Sequence, residues 1–228
     1  MNPLDAQILF HIGPLAVSAT VVTSWGLMLL LCLLSVGVTR SLQLEPGAWQ
    51  VAAEGIVGVI EAAIGQVLTP AQTGQVLPFI ASLWIYLVLA NLTGLIPGLH
   101  SPTGDLSATS ALALLVFLSV HWFGIRANGL RGYLGHYLKP TPLLLPFHLI
   151  SEITRTVALA VRLFGNIMSL EMAALLILLV AGLLAPVPIL MLHIVEALVQ
   201  AYIFGMLALI YIAGGLQSQQ LRQEKETQ

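Results

Sequence analysis

Apolar residues along this chain come in runs of about twenty, broken by short polar or proline-rich intervals, and that spacing predicts a set of membrane-crossing helices. The first run, 15–38, follows Pro14 and stops short of Arg40. A different pattern opens after Pro46, over 47–68. Trp49, Ala52, Ile56, Ile60, Ala63 and Val67 mark one helical face, and Gln50, Glu54, Gly58, Glu61 and Gly65 mark the other. Such an amphipathic helix either lies in the interface with its glutamates solvated or presents its small, polar stripe to a neighbouring helix. After a turn-like stretch at 69–75, the next span covers 76–97 and carries Asn91, whose amide needs a partner at that depth. The connection 98–107 is rich in Gly, Pro and Ser, contains Asp105 and has no Lys or Arg. A third span covers 108–125.

Proline at 140, 142 and 146 separates that span from a helix over 147–184, too long to stand upright in a bilayer and therefore expected to tilt. The last helix covers 189–214, and 215–228 is a polar tail. The fold class is thus all-α and polytopic: about five transmembrane helices plus an amphipathic interfacial helix, with the two long C-terminal helices tilted and packed as a hairpin. The whole of 1–228 reads as a single membrane domain, since five or six spans of about 20 residues use up the length.

Composition sharpens this. With 58% hydrophobic and 8% charged residues and a mean hydropathy of +0.95, the chain lies far from the roughly 25% charged residues of soluble domains. The net charge of −2 matters less than where the charges sit. Arg40, Arg126, Arg131, Lys139, Arg222 and Lys225 all fall on one predicted side, which by the positive-inside rule is the cytoplasm. The N-terminus is then expected outside and the C-terminus inside. Cys32 is the single cysteine and sits in an apolar run, so neither an intrachain disulfide nor a thiolate metal site is expected. No HExxH, GxSxG or GxxxxGK[ST] pattern occurs, which leaves metalloprotease, hydrolase and P-loop readings unsupported. No internal repeat of the secondary-transporter kind is visible.

Chemistry concentrates in the last two helices. Arg162 lies within VRLFGNIMSLE, with Asn166 four residues on and Glu171 nine residues on. A guanidinium cannot shed its proton, and at bilayer depth it costs between about 3 and 17 kcal/mol. It marks a functional site by default, although a packed Arg satisfied by carbonyls, or one snorkelling from a helix end, is the plainer alternative. Arg162 and Asn166 share a face, whereas Glu171 projects to the other side. On the final helix His193, Glu196 and Gln200 stand at i, i+3 and i+7, which is one face. Imidazole and carboxylate together have the chemistry of a proton relay, and also resemble a cation site with few oxygens.

VRLFGN paired with QAYIFGMLALIY, preceded by NLTGLIP and PTGDLSATSALAL, resembles subunit a of the F-type ATP synthase over about 54–211. The resemblance implies a non-catalytic stator subunit of the F0 motor in a bacterial inner membrane, with partners in the c-ring, the b-type stator subunits and, indirectly, the F1 sector. No cofactor, metal or nucleic acid is implied. Carried over by position, Arg162 is the essential arginine facing the ring, with Asn166, Glu171, His193 and Gln200 as the other ion-translocation residues; Glu196 is a further candidate. The outer half-channel would be lined by Glu171 and His193, with Asn91, Asp105 and Glu196 as further candidates. His148 and Glu152, with the Glu54 and Glu61 stripe, would give access to the inner one. If Arg162 and Gln200 are level in an antiparallel pair, Glu171 and His193 come within about a turn of each other.

Three positions depart from the family pattern: Glu196 adds a carboxylate where many relatives are apolar, Thr156 replaces a common Pro, and Ala158 a common Ser. The alternative is a standalone ion channel or secondary transporter whose polar residues form its own path. Whether H+ or Na+ is carried depends on ligands outside this chain.

Overall fold

A computed structural model describes residues 8–12, 15–40, 47–96, 99, 101–137, 145–181 and 187–217; the side chains of 8–16, 128, 130–137, 145, 148, 181 and 217 lie outside that description. Two short antiparallel strands, β1 (Ile8–Ile12) and β2 (Leu15–Ser18), precede six helices: α1 (Ala19–Arg40), α2 (Ala48–Gly65), α3 (Pro70–Leu92), α4 (Leu106–Tyr137), α5 (Leu145–Ala181) and α6 (Val187–Gln217). Single 3-10 turns at Thr93–Leu95 and Pro102–Gly104 lie between α3 and α4. All six helices are long and apolar enough to cross a membrane, α2 being the shortest at 18 residues and the least apolar. The protein is therefore an all-α, polytopic membrane protein.

Four local boundaries differ from those expected of the sequence, each for a visible reason. The strand at Leu15–Ser18 pairs with β1, so the first helix starts at Ala19. The stretch 69–75 is no turn: Thr69 caps α3, Pro70 takes the first helical position, and Gln72 Oε1 accepts from the Thr69 hydroxyl at 3.0 Å. Asp105 begins α4 by accepting the Ser107 amide at 2.9 Å. That helix runs beyond the expected 108–125 to Tyr137, bending at Gly129, whose φ of 68° suits a residue without Cβ. The turn at 182–186, Lys139 with the prolines at 140 and 142, and the tail with Arg222 and Lys225 lie outside the described residues.

The core is shared by α3, α4, α5 and α6. Ile80, Leu83, Trp84 and Leu87 meet Ala113, Val116 and Val120, then Leu159, Leu163 and Ile167, then Phe204, Leu209 and Ile212. By contrast, the apolar span of α1 has no buried residue, as expected of a helix clothed in lipid. On α2 only Ile60 and Ile64 are buried, so the Glu54 and Glu61 stripe is not packed against another described helix; both carboxylates are exposed. Since lipid is as apolar as leucine, close fit holds such helices together more than burial does.

Small residues on α6 supply that fit. Ala197, Ala201, Gly205 and Ala208 form a stripe on its buried side, and Trp84 of α3 settles onto it while stacking on Tyr202 with ring centroids 5.7 Å apart. A Cβ added at Gly205 would come 2.5 Å from Trp84 Nε1. The obstacle is a rigid, buried indole stacked on Tyr202, so Gly205→Ala is expected to destabilise the α3–α6 contact by about 1–3 kcal/mol, the usual cost of overpacking. Thermal unfolding of the purified protein in detergent checks this: the variant should melt lower, and Trp84→Phe in the same background should recover part of the loss.

Candidate functional site

The polar residues of α5 and α6 meet at two levels. At the middle of the bundle Asn166 donates through Nδ2 to Gln200 Oε1 at 2.7 Å, tying the two long helices together. Gln200 is only 2% exposed, and its Nε2 has no hydrogen-bond partner among the described residues. An orphaned buried donor costs about 1–3 kcal/mol, so the site holds a polar group unsatisfied among the described residues. One turn before Asn166 stands Arg162. It is exposed, as are Ala158 and Gly165 within about a turn of it on the same helix face and Ser169 two turns on. No carboxylate pairs with Arg162 among the described residues; Arg155–Glu152 is the ion pair found there.

The second level lies nearer the α5–α6 turn. Glu171 Oε1 accepts the Ser101 backbone N–H at 3.1 Å, across from the connection between α3 and α4. Glycine makes the room: a Cβ at Gly94 would sit 3.1 Å from Glu171 Oε1 and 3.5 Å from His193 Cε1, and one at Gly104 would sit 3.3 Å from Glu171 Oε2. Carboxylate and imidazole thus flank the same point. His193 is 2% exposed and its Nε2 lies 3.2 Å from the Asn91 carbonyl. A carbonyl only accepts, so this bond requires the hydrogen on Nε2 and leaves Nδ1 of the neutral ring as the proton acceptor.

Asn91 anchors this level. Fully buried, it donates from Nδ2 to the Ala197 carbonyl at 3.1 Å and accepts the Thr103 hydroxyl on Oδ1 at 2.7 Å. Ser101 Oγ donates to the Ala90 carbonyl at 2.8 Å and approaches Thr103 Oγ1 at 2.6 Å. Two hydroxyl hydrogens serve three contacts, so the network has more than one proton arrangement. The connection between α3 and α4 is folded onto the helices, and Ser101, Thr103, Gly94 and Gly104 belong to the site although the sequence does not single them out. Their composition signals only a loop, and nothing local tells an inward loop from an outward one.

The remaining candidates divide. Asp105 is occupied: Oδ1 takes the Ser107 amide and hydroxyl, each at 2.9 Å, and Oδ2 takes the Thr20 hydroxyl of α1 at 2.9 Å. It caps α4 and stands one residue from Gly104, beside the Glu171 pocket. Glu196 is half-buried, off the buried side that holds His193 and Gln200. Glu152 pairs with Arg155 at the far end of α5. His148 falls in the first turns of α5, its side chain outside the described residues. Among the described residues no group of three or more His, Cys, Asp or Glu side chains is placed to hold a metal ion.

Comparison with known proteins agrees on one family. Residues 21–213 match the model of the ATP synthase A chain. The chain is 65% identical to ATP synthase subunit a 2 of Pelobacter propionicus over 97% of its length and 98% of that relative. It is 63% identical to ATP synthase subunit a 1 of Hahella chejuensis, over 94% and 91% of the two chains. To ATP synthase subunit a of Legionella pneumophila it is 55% identical, over 97% and 96%.

Proposed function

Since the chain belongs to the ATP synthase A chain family, we propose that it is the ion-translocating stator of the membrane motor, passing ions to and from a rotating ring of c subunits through two offset half-channels. The observation that carries this reading is Arg162: a permanent cation at an exposed position within an apolar span, with no carboxylate partner among the described residues. In a bilayer that position needs a complement, and the complement of a lone guanidinium is a carboxylate. The c-ring supplies one per subunit.

Glu171 and His193, seated on Asn91 and the Ser101–Thr103 turn, load the ion from the outer side. His193 shuttles a proton through Nδ1 while Nε2 stays bonded to the Asn91 carbonyl. Gln200 and Asn166 hold α5 and α6 in register beside Arg162, and their amides solvate the ring carboxylate while it is ionised. Arg162 lets that ionised carboxylate pass but repels a cation attempting to go straight through. Ions therefore cross by riding the ring, driven by about 2.3 kcal/mol per charge for each 100 mV of membrane potential. The orientation that fits the arginine and lysine distribution puts the N-terminus outside and the C-terminus in the cytoplasm. In this reading ATP chemistry belongs to the F1 sector, and b-type subunits hold the stator in place.

A standalone channel or transporter would conduct by itself, so flux through the isolated chain separates the classes. Purified and reconstituted into liposomes under a diffusion potential of about 100 mV, the chain should pass neither H+ nor Na+ above the rate of empty vesicles. Sustained flux without the ring would overturn the stator reading.

A further inference from the structure

Arg155 and Arg162 lie seven residues apart on α5, close to two full turns, and so share a helix face with about 10 Å between them. Yet the two guanidinium groups are handled differently. Arg162 is exposed and unpaired among the described residues. Arg155 is held twice: its Cζ lies 3.8 Å from the centroid of the Tyr211 ring of α6, and its Nη1 lies 3.7 Å from Glu152 Oε1. The register of the helix pair accounts for the first contact. Eleven residues separate Arg155 from Asn166 and eleven separate Gln200 from Tyr211, so the pairing that joins Asn166 to Gln200 brings Arg155 to Tyr211 in an antiparallel hairpin.

We propose that Tyr211 is a positioning residue that keeps Arg155 against α6, so that the face offered to the ring presents one free cation rather than two. The proposal rests on the stator reading above. A free guanidinium two turns from Arg162 would offer a passing carboxylate a second, equally strong partner. Charge pairs weaken little by screening in a low dielectric, so such a second partner acts as a trap and slows the ring. Glu152 alone does not prevent this, because it sits on the same helix and moves with Arg155; the aromatic face belongs to the neighbouring helix and fixes where the cation lies.

The test is a double-mutant cycle read by ATP-driven ion uptake into inverted vesicles carrying the assembled complex. Tyr211→Leu should lower uptake about tenfold with the complex still assembled, while Tyr211→Phe, which keeps the ring face, should stay within about twofold of wild type. Arg155→Gln should also stay within about twofold, and Arg155→Gln combined with Tyr211→Leu should restore what Tyr211→Leu loses. A purely structural staple predicts the opposite: Arg155→Gln as harmful as Tyr211→Leu, and no restoration. Either that pattern or undiminished uptake by Tyr211→Leu overturns the proposal. Tyr211→Met carries the same test where leucine prevents assembly. Uptake that survives Arg162→Ala in parallel vesicles would instead sink the stator reading itself.

Discussion

Replacing Arg162 with Ala is expected to cut ATP-driven ion uptake by at least about a hundredfold while leaving the complex assembled. The magnitude follows from what the ring carboxylate loses. Holding an ionised side chain at bilayer depth without a partner costs about 3 kcal/mol even on the gentlest scale. At 1.4 kcal/mol per decade, that is about two orders of magnitude in the fraction of carboxylates able to pass ionised. Assembly should survive because Arg162 is exposed on its helix and makes no hydrogen bond or ion pair to the described residues of this chain. The same vesicles should show Arg162→Lys severely impaired as well. An ammonium lacks the planar fork that grips a carboxylate and, unlike a guanidinium, can lose its proton in an apolar setting. Uptake is measured with and without sodium, which also identifies the ion.

Glu171→Gln is expected to lower uptake by roughly 100-fold, the lower end of the range for removing a positioned proton-transfer group. The amide has the same shape and its oxygen can still accept the Ser101 N–H, so the pocket between Gly94 and Gly104 should stay filled. What disappears is the exchangeable proton next to His193. Glu171→Asp should be informative in the other direction: it keeps the charge but withdraws it by one methylene from Ser101, so partial uptake is the expected result. Wild-type uptake in Glu171→Gln would remove Glu171 from the proposed outer path and leave it as a strut for the α3–α4 connection.

Much of this site is legible in the amino-acid sequence. Arg162 stands out because its cost at bilayer depth is independent of its neighbours, and the His193–Gln200 spacing because seven residues return to the same helix face. The expected register puts Arg162 level with Gln200, whereas Gln200 bonds Asn166 one turn on; the shift is small enough that Glu171 and His193 both still lie against Gly94. Glu196, by contrast, shares the nominal face with His193 and Gln200 yet stays half-buried while they are buried; a wheel projection places residues to within tens of degrees, and that is the width of the boundary.

Other features are hidden for a physical reason. The Ser101–Thr103 turn is polar, proline-bearing and followed by Gly104, as outward loops are, and its inward fold depends on Asn91 lying 12 residues away from Thr103 with an acceptor to offer. The cap at Thr69 and Gln72 is present in the sequence, but Pro70 reads as a breaker unless the residues on both sides are considered together. Arg155 and Tyr211 carry no mutual signal at all until the register of α5 and α6 is known.

If the α5 face bearing Arg162 meets the ring, disulfide cross-linking should find it there. Single cysteines at Gly165, on the exposed side, and at Leu163, fully buried, are paired in turn with a cysteine beside the ring's membrane carboxylate, in a Cys32→Ser background. Efficient oxidation with Gly165→Cys and none with Leu163→Cys is the predicted result. Cross-links through Leu163→Cys, or none through Gly165→Cys in an assembled complex, would contradict it.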